Sequence, residues 1–340
     1  MSIIHVTAAD KRIERAVGGG RLEVYTSPLG ELPVVHISGT PEQMGRQYGA
    51  LVGDKIARTA SRLVGLFTEM GVPESIVHTL LDVCWKRLEA FTPERYLCEM
   101  AAIAEGAQEA GFAVTLEDLQ RITTVTNFDL YKQEERAFEF LAHDAPEVLQ
   151  KLQGRNAMSC TMFAVWGSRT LDGKLFASRD LDWASQTGIH EDRLITVYRP
   201  EGRNAFVSMD YAGIMGALAG MNQCGMSLAE VGSFSVCEEL DGIPWVLMAR
   251  RVLEEATCLE EAVDIIQHAM HTIGYNYLVA DGDPEHFGTE AFNPRAAAFE
   301  TNHACCAIFY ADDPQEHAAT WTDPDGNAVP YGLPMKEAVM

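Results

Sequence analysis

Cys160 opens the run Ser159-Cys160-Thr161-Met162-Phe163-Ala164-Val165-Trp166, and Ser178-Arg179-Asp180-Leu181-Asp182-Trp183 closes a second stretch that follows Asp172-Gly173. An Asp-Gly pair between two β-rich stretches is a hairpin signal, so strands are expected over 161–168 and 174–181. Such a hairpin brings one thiol close to a guanidinium and a carboxylate. A cation beside a thiol lowers its pKa and favours the thiolate, the nucleophilic form of sulfur, so the chemistry such a site could do is nucleophilic attack by sulfur. By spacing alone, a buried structural cysteine next to an Arg–Asp ion pair is the commoner arrangement and competes with this reading.

The elements that must position these residues differ on the two sides of Cys160. Up to about Gln153 the chain reads largely as helix, after a first thirty or so residues that hold a Gly18-Gly19-Gly20 turn. Thr40-Pro41-Glu42-Gln43 combines an N-cap, a proline at the first helical position and the glutamine of a capping box. Gly45, Gly49 and Gly53 then fall on one helical face, where missing side chains let another element pack closely. A second helix starts at Thr92-Pro93, with Leu97, Met100, Ala101, Ala104 and Ala107 at helical spacing until Gly111. A further helix is expected over 136–153, with a loop at 153–156.

From Met158 the periodicity changes to two. Strands are expected over 194–199, 205–209, 226–231, 275–280 and about 286–291, and helices over 244–255 and 257–272, the latter behind a Thr257…Glu260 capping box. Strands, then one-sided helices, then strands predict an α+β fold in which sheet is covered by helix.

The chain has 340 residues, 47% hydrophobic and 22% charged, values of a self-folding globular protein of about two domains. With 26 Lys plus Arg against 49 Asp plus Glu, the net charge of −23 argues against nucleic acid as a partner, because phosphate binding needs clustered cations. Apolar runs are too short for a membrane span and residues 1–20 carry no export signal. Eight cysteines without a C-x-x-C pair read as reduced thiols, which points to the cytoplasm.

Cys-Thr at a strand start, followed after the Asp-Gly turn by Arg-Asp-Leu-Asp-Trp, resembles the N-terminal-nucleophile hydrolases of the choloylglycine hydrolase and acyl-coenzyme A:isopenicillin N acyltransferase group. The glycine-rich segment Gly39, Pro41, Gly45, Gly49 and the run Thr92-Pro93-Glu94-Arg95-Tyr96 with Glu99 are similar to the acyltransferase branch. The resemblance implies an αββα sandwich, a mainly helical leader at 1–159, a catalytic segment at 160–340 and self-cleavage between Ser159 and Cys160. Cys160 then becomes a new N-terminus whose own α-amine, with an ordinary pKa near 8, takes the thiol proton. Arg179 is implied to steady the thiolate and substrate, and Asp182 to hold the Cys160 amine. Asn222, in Gly-Met-Asn-Gln-Cys-Gly, and Asn302, in Thr-Asn-His, are implied oxyanion donors. Trp183, Tyr211, Phe234 and Trp245 are candidates for lining an acyl pocket, although aromatic residues near a sheet are more often core. The expected substrate is a small amide or thioester; no cofactor or metal is implied, and the oligomeric state, homo-oligomer included, stays open.

Rival readings are a conventional thiol hydrolase with His303 as base and no cleavage, and a silent binding protein on the same fold. Cys305 and Cys306 beside His303 lack a distant second pair and fit a buried strand better than tetrahedral zinc. His268 and His271, three apart without an H-E-x-x-H pattern, are expected to be solvated.

Overall fold

The computed structural model describes residues 10–28, 30–69, 71–127, 159–182, 188–233, 235, 237–314, 320–322, 326–330 and 336–339. Three strands come first: β1 (Asp10–Val17), β2 (Gly20–Ser27) and β3 (Gly30–Gly39). Four helices follow, α1 (Pro41–Glu69), α2 (Glu74–Glu89), α3 (Glu94–Glu109) and α4 (Leu116–Val125). The Thr40 capping box is formed, with the Thr40 N–H donating to Gln43 Oε1 at 2.9 Å and the Gln43 N–H to Thr40 Oγ1 at 3.4 Å. The glycine face packs as expected. A Cβ at Gly49 would run into the Ile103 carbonyl, and one at Gly106 into the Arg46 backbone, so α1 and α3 touch through bare backbone.

The second half supplies β4 (Ser159–Gly167), β5 (Gly173–Asp182), β6 (Arg193–Pro200), β7 (Phe206–Tyr211), β8 (Ala219–Asn222) and β9 (Met226–Gly232). Two helices, α5 (Trp245–Glu255) and α6 (Leu259–Gln267), precede β10 (Tyr275–Asp281), β11 (Arg295–Asn302) and β12 (Cys305–Tyr310). Short strands β13 (Thr320–Thr322) and β14 (Ala328–Pro330) pair with each other, and β15 (Ala338–Val339) returns to β4.

Ten strands form one sheet in the order β1-β2-β3-β6-β7-β8-β9-β10-β11-β12. Every neighbouring pair is antiparallel except β3 with β6, which is parallel. Strand alternation gives this sheet two distinct faces. One face, carrying Leu22, Val35, Tyr198, Phe206, Leu228, Tyr277 and Phe299, forms the main core with the six helices. The other, carrying Ala219, Ala229, Leu278, Ala280 and Ala298, packs on Met162, Ala164 and Trp166 of the small sheet β15-β4-β5. Alanines there leave the room that Met162 and Trp166 fill.

The expected α+β arrangement of antiparallel sheet covered by helix is thus present, in three layers: helix, sheet and sheet. An outer helical layer on the small sheet has no counterpart among the described residues. After the first thirty or so residues the first half is helical through α1 to α4, as expected, while β1 to β3, for which no strands were expected, join the sheet of the second half. The strand expected near 286–291 is instead a one-turn 3₁₀ helix at Pro284–His286 followed by turns, set by a left-handed Asp283 (φ 46°) and Gly288 (φ 84°). The α6 capping residue is also shifted: Thr257 donates through N–H and Oγ1 to Glu261, each at 2.8 Å, while Glu260 pairs with Arg295. The helix expected over 136–153 lies outside the described residues. No helix among the described residues is long and apolar enough to cross a membrane.

Candidate active site

β4 and β5 form the expected hairpin, with Cys160 opposite Leu181 and Met162 opposite Arg179. Directly opposed residues share a face, so Cys160 and Arg179 both point toward the large sheet. Arg179 Nη2 stands 3.9 Å from Cys160 Sγ. The Asp182 backbone N–H also serves the thiol, and both contacts pull its pKa down. Burial and the nearby Glu230 push it up further, so the thiol lies above its usual value. The pull of the guanidinium is therefore outweighed in the intact chain.

What takes up the charge of Arg179 is Glu230. Arg179 Nε donates to the Glu230 carbonyl at 3.1 Å and Nη2 to its carboxylate, with the two side chains 8% and 5% exposed. Burial raises the Glu230 carboxyl against the pull of Arg179. Sequence reading missed Glu230. The signal was available, since Glu230 falls in phase with buried Met226 and Leu228 in β9, where a charged residue needs a partner.

Asp182 reaches the thiol by backbone; the residue itself is exposed and lies opposite Ser159, on the face away from Cys160. The Ser159–Cys160 bond sits within the paired part of β4.

Asn222 departs from the expected oxyanion role. Its Nδ2 donates to the carbonyls of Leu253 (3.0 Å) and Ala256 (2.7 Å), and its Oδ1 accepts from the N–H of Cys224 (2.9 Å) and Met226 (3.0 Å). Both amide protons are taken, so Asn222 ties the β8–β9 turn to the end of α5. Asn302 is different: Oδ1 accepts from the N–H of Ala304 (2.8 Å) and Cys305 (2.9 Å), while Nδ2 donates to no described residue. Its N–H pair is the part an oxyanion needs.

Between β5 and the large sheet runs a cleft of about 890 Å³, lined by Phe176, Arg179, Ile195, Val207, Met209, Tyr211 and Met221 among others. Tyr211 lines it as expected. Half-buried, its phenol is raised by burial against the field of Arg179 and Arg193. Buried Asp210 also borders the cleft, accepting from the Leu218 N–H at 2.8 Å and from Ser208 Oγ, and burial lifts it to about 7. Trp183 and Phe234 lie outside the described residues. Trp245 is core instead of pocket, stacked on Tyr275 with ring centroids 4.3 Å apart.

Three minor expectations change. His303 Nδ1 bonds the His271 carbonyl at 2.9 Å, and no hydrogen bond joins it to Cys160 among the described residues. His271 is buried, with Nε2 on the Ile266 carbonyl at 2.8 Å, because the chain after α6 is bonded to residues 239–243, the Ile243 and Glu239 N–H donating to the Met270 and Thr272 carbonyls. Cys305 is exposed and Cys306 half-buried because β12 is the last strand of its sheet. No group of three or more His, Cys, Asp or Glu among the described residues is arranged to hold a metal ion.

Residues 170–319 match the family model described as acyl-coenzyme A:6-aminopenicillanic acid acyl-transferase. That match bears out the resemblance drawn from the hairpin motifs; it contains Arg179, Asp182, Asn222 and Asn302 and begins after Cys160. The chain is 24% identical over 276 residues to an uncharacterized protein of Archaeoglobus fulgidus, covering 79% of this chain and 45% of that one. It is 19% identical over 280 residues to protein dcd1B of Dictyostelium discoideum, covering 76% and 49%. The chain spans about half the length of these curated relatives. Among solved structures, a Caenorhabditis elegans ortholog of N-acylethanolamine-hydrolyzing acid amidase aligns at 14% identity and TM-score 0.37, over 45% of this chain and 64% of that one. Conjugated bile acid hydrolase from Clostridium perfringens, as a variant, aligns at 15% identity and TM-score 0.21, over 47% and 44%.

Proposed function

We propose that the protein is a self-processing cysteine amidohydrolase or acyltransferase that cuts itself between Ser159 and Cys160 and then uses Cys160 as an N-terminal nucleophile. The observation that carries this reading is the placement of Cys160 at the head of β4, 3.9 Å from Arg179 at the edge of a large apolar cleft. The family match over residues 170–319 supports the same chemical class.

The raised thiol fits the scheme, since it needs a base, and cleavage supplies one. Once the Ser159–Cys160 bond is broken, the Cys160 α-amine takes the Sγ proton as sulfur attacks a substrate amide or thioester carbonyl. The C–S bond forms, the C–N or C–S bond to the leaving group breaks, and the amine proton passes to that leaving group. Water or an acceptor amine then releases the acyl group and restores the thiol. Asn302 would donate its Nδ2 protons to the developing oxyanion, Arg179 would steady the sulfur, and Asp182 would orient the amine. A reducing compartment such as the cytoplasm would keep the nucleophile and the seven other free cysteines as thiols.

Intact mass under denaturing conditions tests the scheme. Two fragments, 1–159 and 160–340, in wild type and one chain in Cys160→Ala are expected. A wild-type chain that stays whole while it turns over an amide would replace the scheme with a conventional thiol hydrolase.

A further inference from the structure

The cleft is amphipathic along its length. Arg193 begins β6 directly opposite Tyr211 of β7, and beyond this pair the same sheet face continues as Ile195 opposite Met209, then Val207 opposite Met221. One end therefore gathers Arg179, which reaches the thiol, with Tyr211 and Arg193, and the rest is an apolar floor. Met209 and Met221 on this floor each remain 55% exposed, apolar side chains left open in a cleft as at a binding site.

The two guanidiniums lining this cleft are in different states. Arg179 is bonded to buried Glu230. Arg193 donates to the His190 carbonyl at 2.9 Å and forms no ion pair with any described residue. In a chain of net charge −23, where most arginines have found carboxylates, this cation faces the cleft without one among the described residues. An anion brought by the substrate would complete it, at a guanidinium suited to carboxylate geometry.

We propose that Arg193 is a specificity-determining residue that binds the carboxylate of an N-acyl amino acid, with the amide next to Cys160 and the acyl chain on the floor of Val207, Met209 and Met221. This rests on the amidohydrolase reading above. The carboxylate lies two bonds from the amide nitrogen, so both belong at the polar end, and the hydrocarbon runs the other way.

The test is calorimetric titration of the full-length Cys160→Ala chain, which keeps the cleft and cannot react, with N-decanoylglycine and with the uncharged N-decanoylethanolamine. The glycine conjugate is expected to bind at least tenfold more tightly. Adding Arg193→Gln is expected to remove that preference and leave the ethanolamide affinity within twofold; adding Met221→Asn is expected to weaken both ligands alike. Equal affinities in Cys160→Ala, an Arg193→Gln effect shared by both ligands, or no binding of either would each overturn the proposal. Wild-type turnover separates the two claims. Hydrolysis of both amides with equal kcat/KM keeps the hydrolase and overturns the carboxylate site, whereas Arg193-dependent binding without turnover keeps the site and sinks the hydrolase.

Discussion

Glu230, itself only 4% exposed, holds the Arg179 guanidinium that stands 3.9 Å from the Cys160 thiol. The arginine is thus fixed in place by one partner and read electrostatically by another. Glu230→Gln keeps a hydrogen-bonding side chain but removes the negative charge that raises the thiol. The Cys160 pKa is therefore expected to fall and its alkylation by iodoacetamide at pH 7.5, followed by peptide mass spectrometry, to quicken several-fold. The same variant leaves Arg179 buried without a counter-charge, so its Tm is expected to drop, by a cost of about 3–5 kcal/mol. Slower alkylation would show that Glu230 acts on the thiol only through the position of Arg179.

Asn222 and Asn302 are expected to respond oppositely to replacement by aspartate. Asn222→Asp loses both N–H donors to Leu253 and Ala256 inside the core, and the expected outcome is a lowered Tm or failure to fold. Asn302→Asp keeps the oxygen that organises its turn and loses only the N–H pair, which donates to no described residue. A normal Tm with kcat down by about 10²–10³ is expected, the usual loss for one oxyanion donor.

Asp210 gives the protein a stability slope against pH. Its folded pKa, about 7, lies above the usual carboxylate range, so between roughly pH 4 and 7 the folded state binds more protons than the unfolded one. Stability then falls as pH rises through that window, by an amount on the order of a few kcal/mol. Asp210→Asn imitates the protonated form toward Ser208 and Leu218. Denaturant melts at pH 5 and pH 8 should show this part of the decline in wild type and not in the variant.

Two glycines of α1 predict opposite signs. Gly49→Ala drives a methyl into the Ile103 carbonyl and is expected to cost about 1–3 kcal/mol. Gly65→Ala meets open space in the same helix and is expected to add up to about 1 kcal/mol through helix propensity. Chemical denaturation of the two variants beside wild type decides both.

Arg250 fastens the two segments on either side of the expected cut. It is 1% exposed, bonded to Glu99 Oε1 and Oε2 of α3 at 2.9 and 2.7 Å and to Glu254 at 2.8 Å, with Tyr96 and Tyr198 rings around it. Fragments 1–159 and 160–340 are expected to co-elute in size exclusion after processing. Glu99→Ala, which removes the α3 partner and leaves the buried guanidinium to Glu254 and the Met215 carbonyl, should weaken the association of the two fragments.

The hairpin, the strand periods of β6, β7, β9 and β10, and the capped start of α1 were legible because each is set by local chemistry: Asp-Gly turns, alternation, and a threonine with glutamine three residues on. β1 to β3 were not. Asp10–Val17 is exposed and mixed in charge, and it is a strand because β2 is beside it. At the site, Cys160 and Arg179 were readable as a motif, yet the fate of their charges depended on Glu230, 51 positions further along the chain from Arg179. Asn222 misled because a family-like turn says nothing of what its amide meets, and α5 meets it first.

The parallel contact of β3 with β6 has a bearing on handling the protein. β6 carries Leu194, Ile195, Thr196, Val197 and Tyr198, and in the folded chain both its edges are paired. Residues 30–39 thus act as an edge guard for an aggregation-prone strand. A 160–340 fragment produced alone would present that strand uncovered, and precipitation is its expected fate; supplied together with 1–159, it has its own shield.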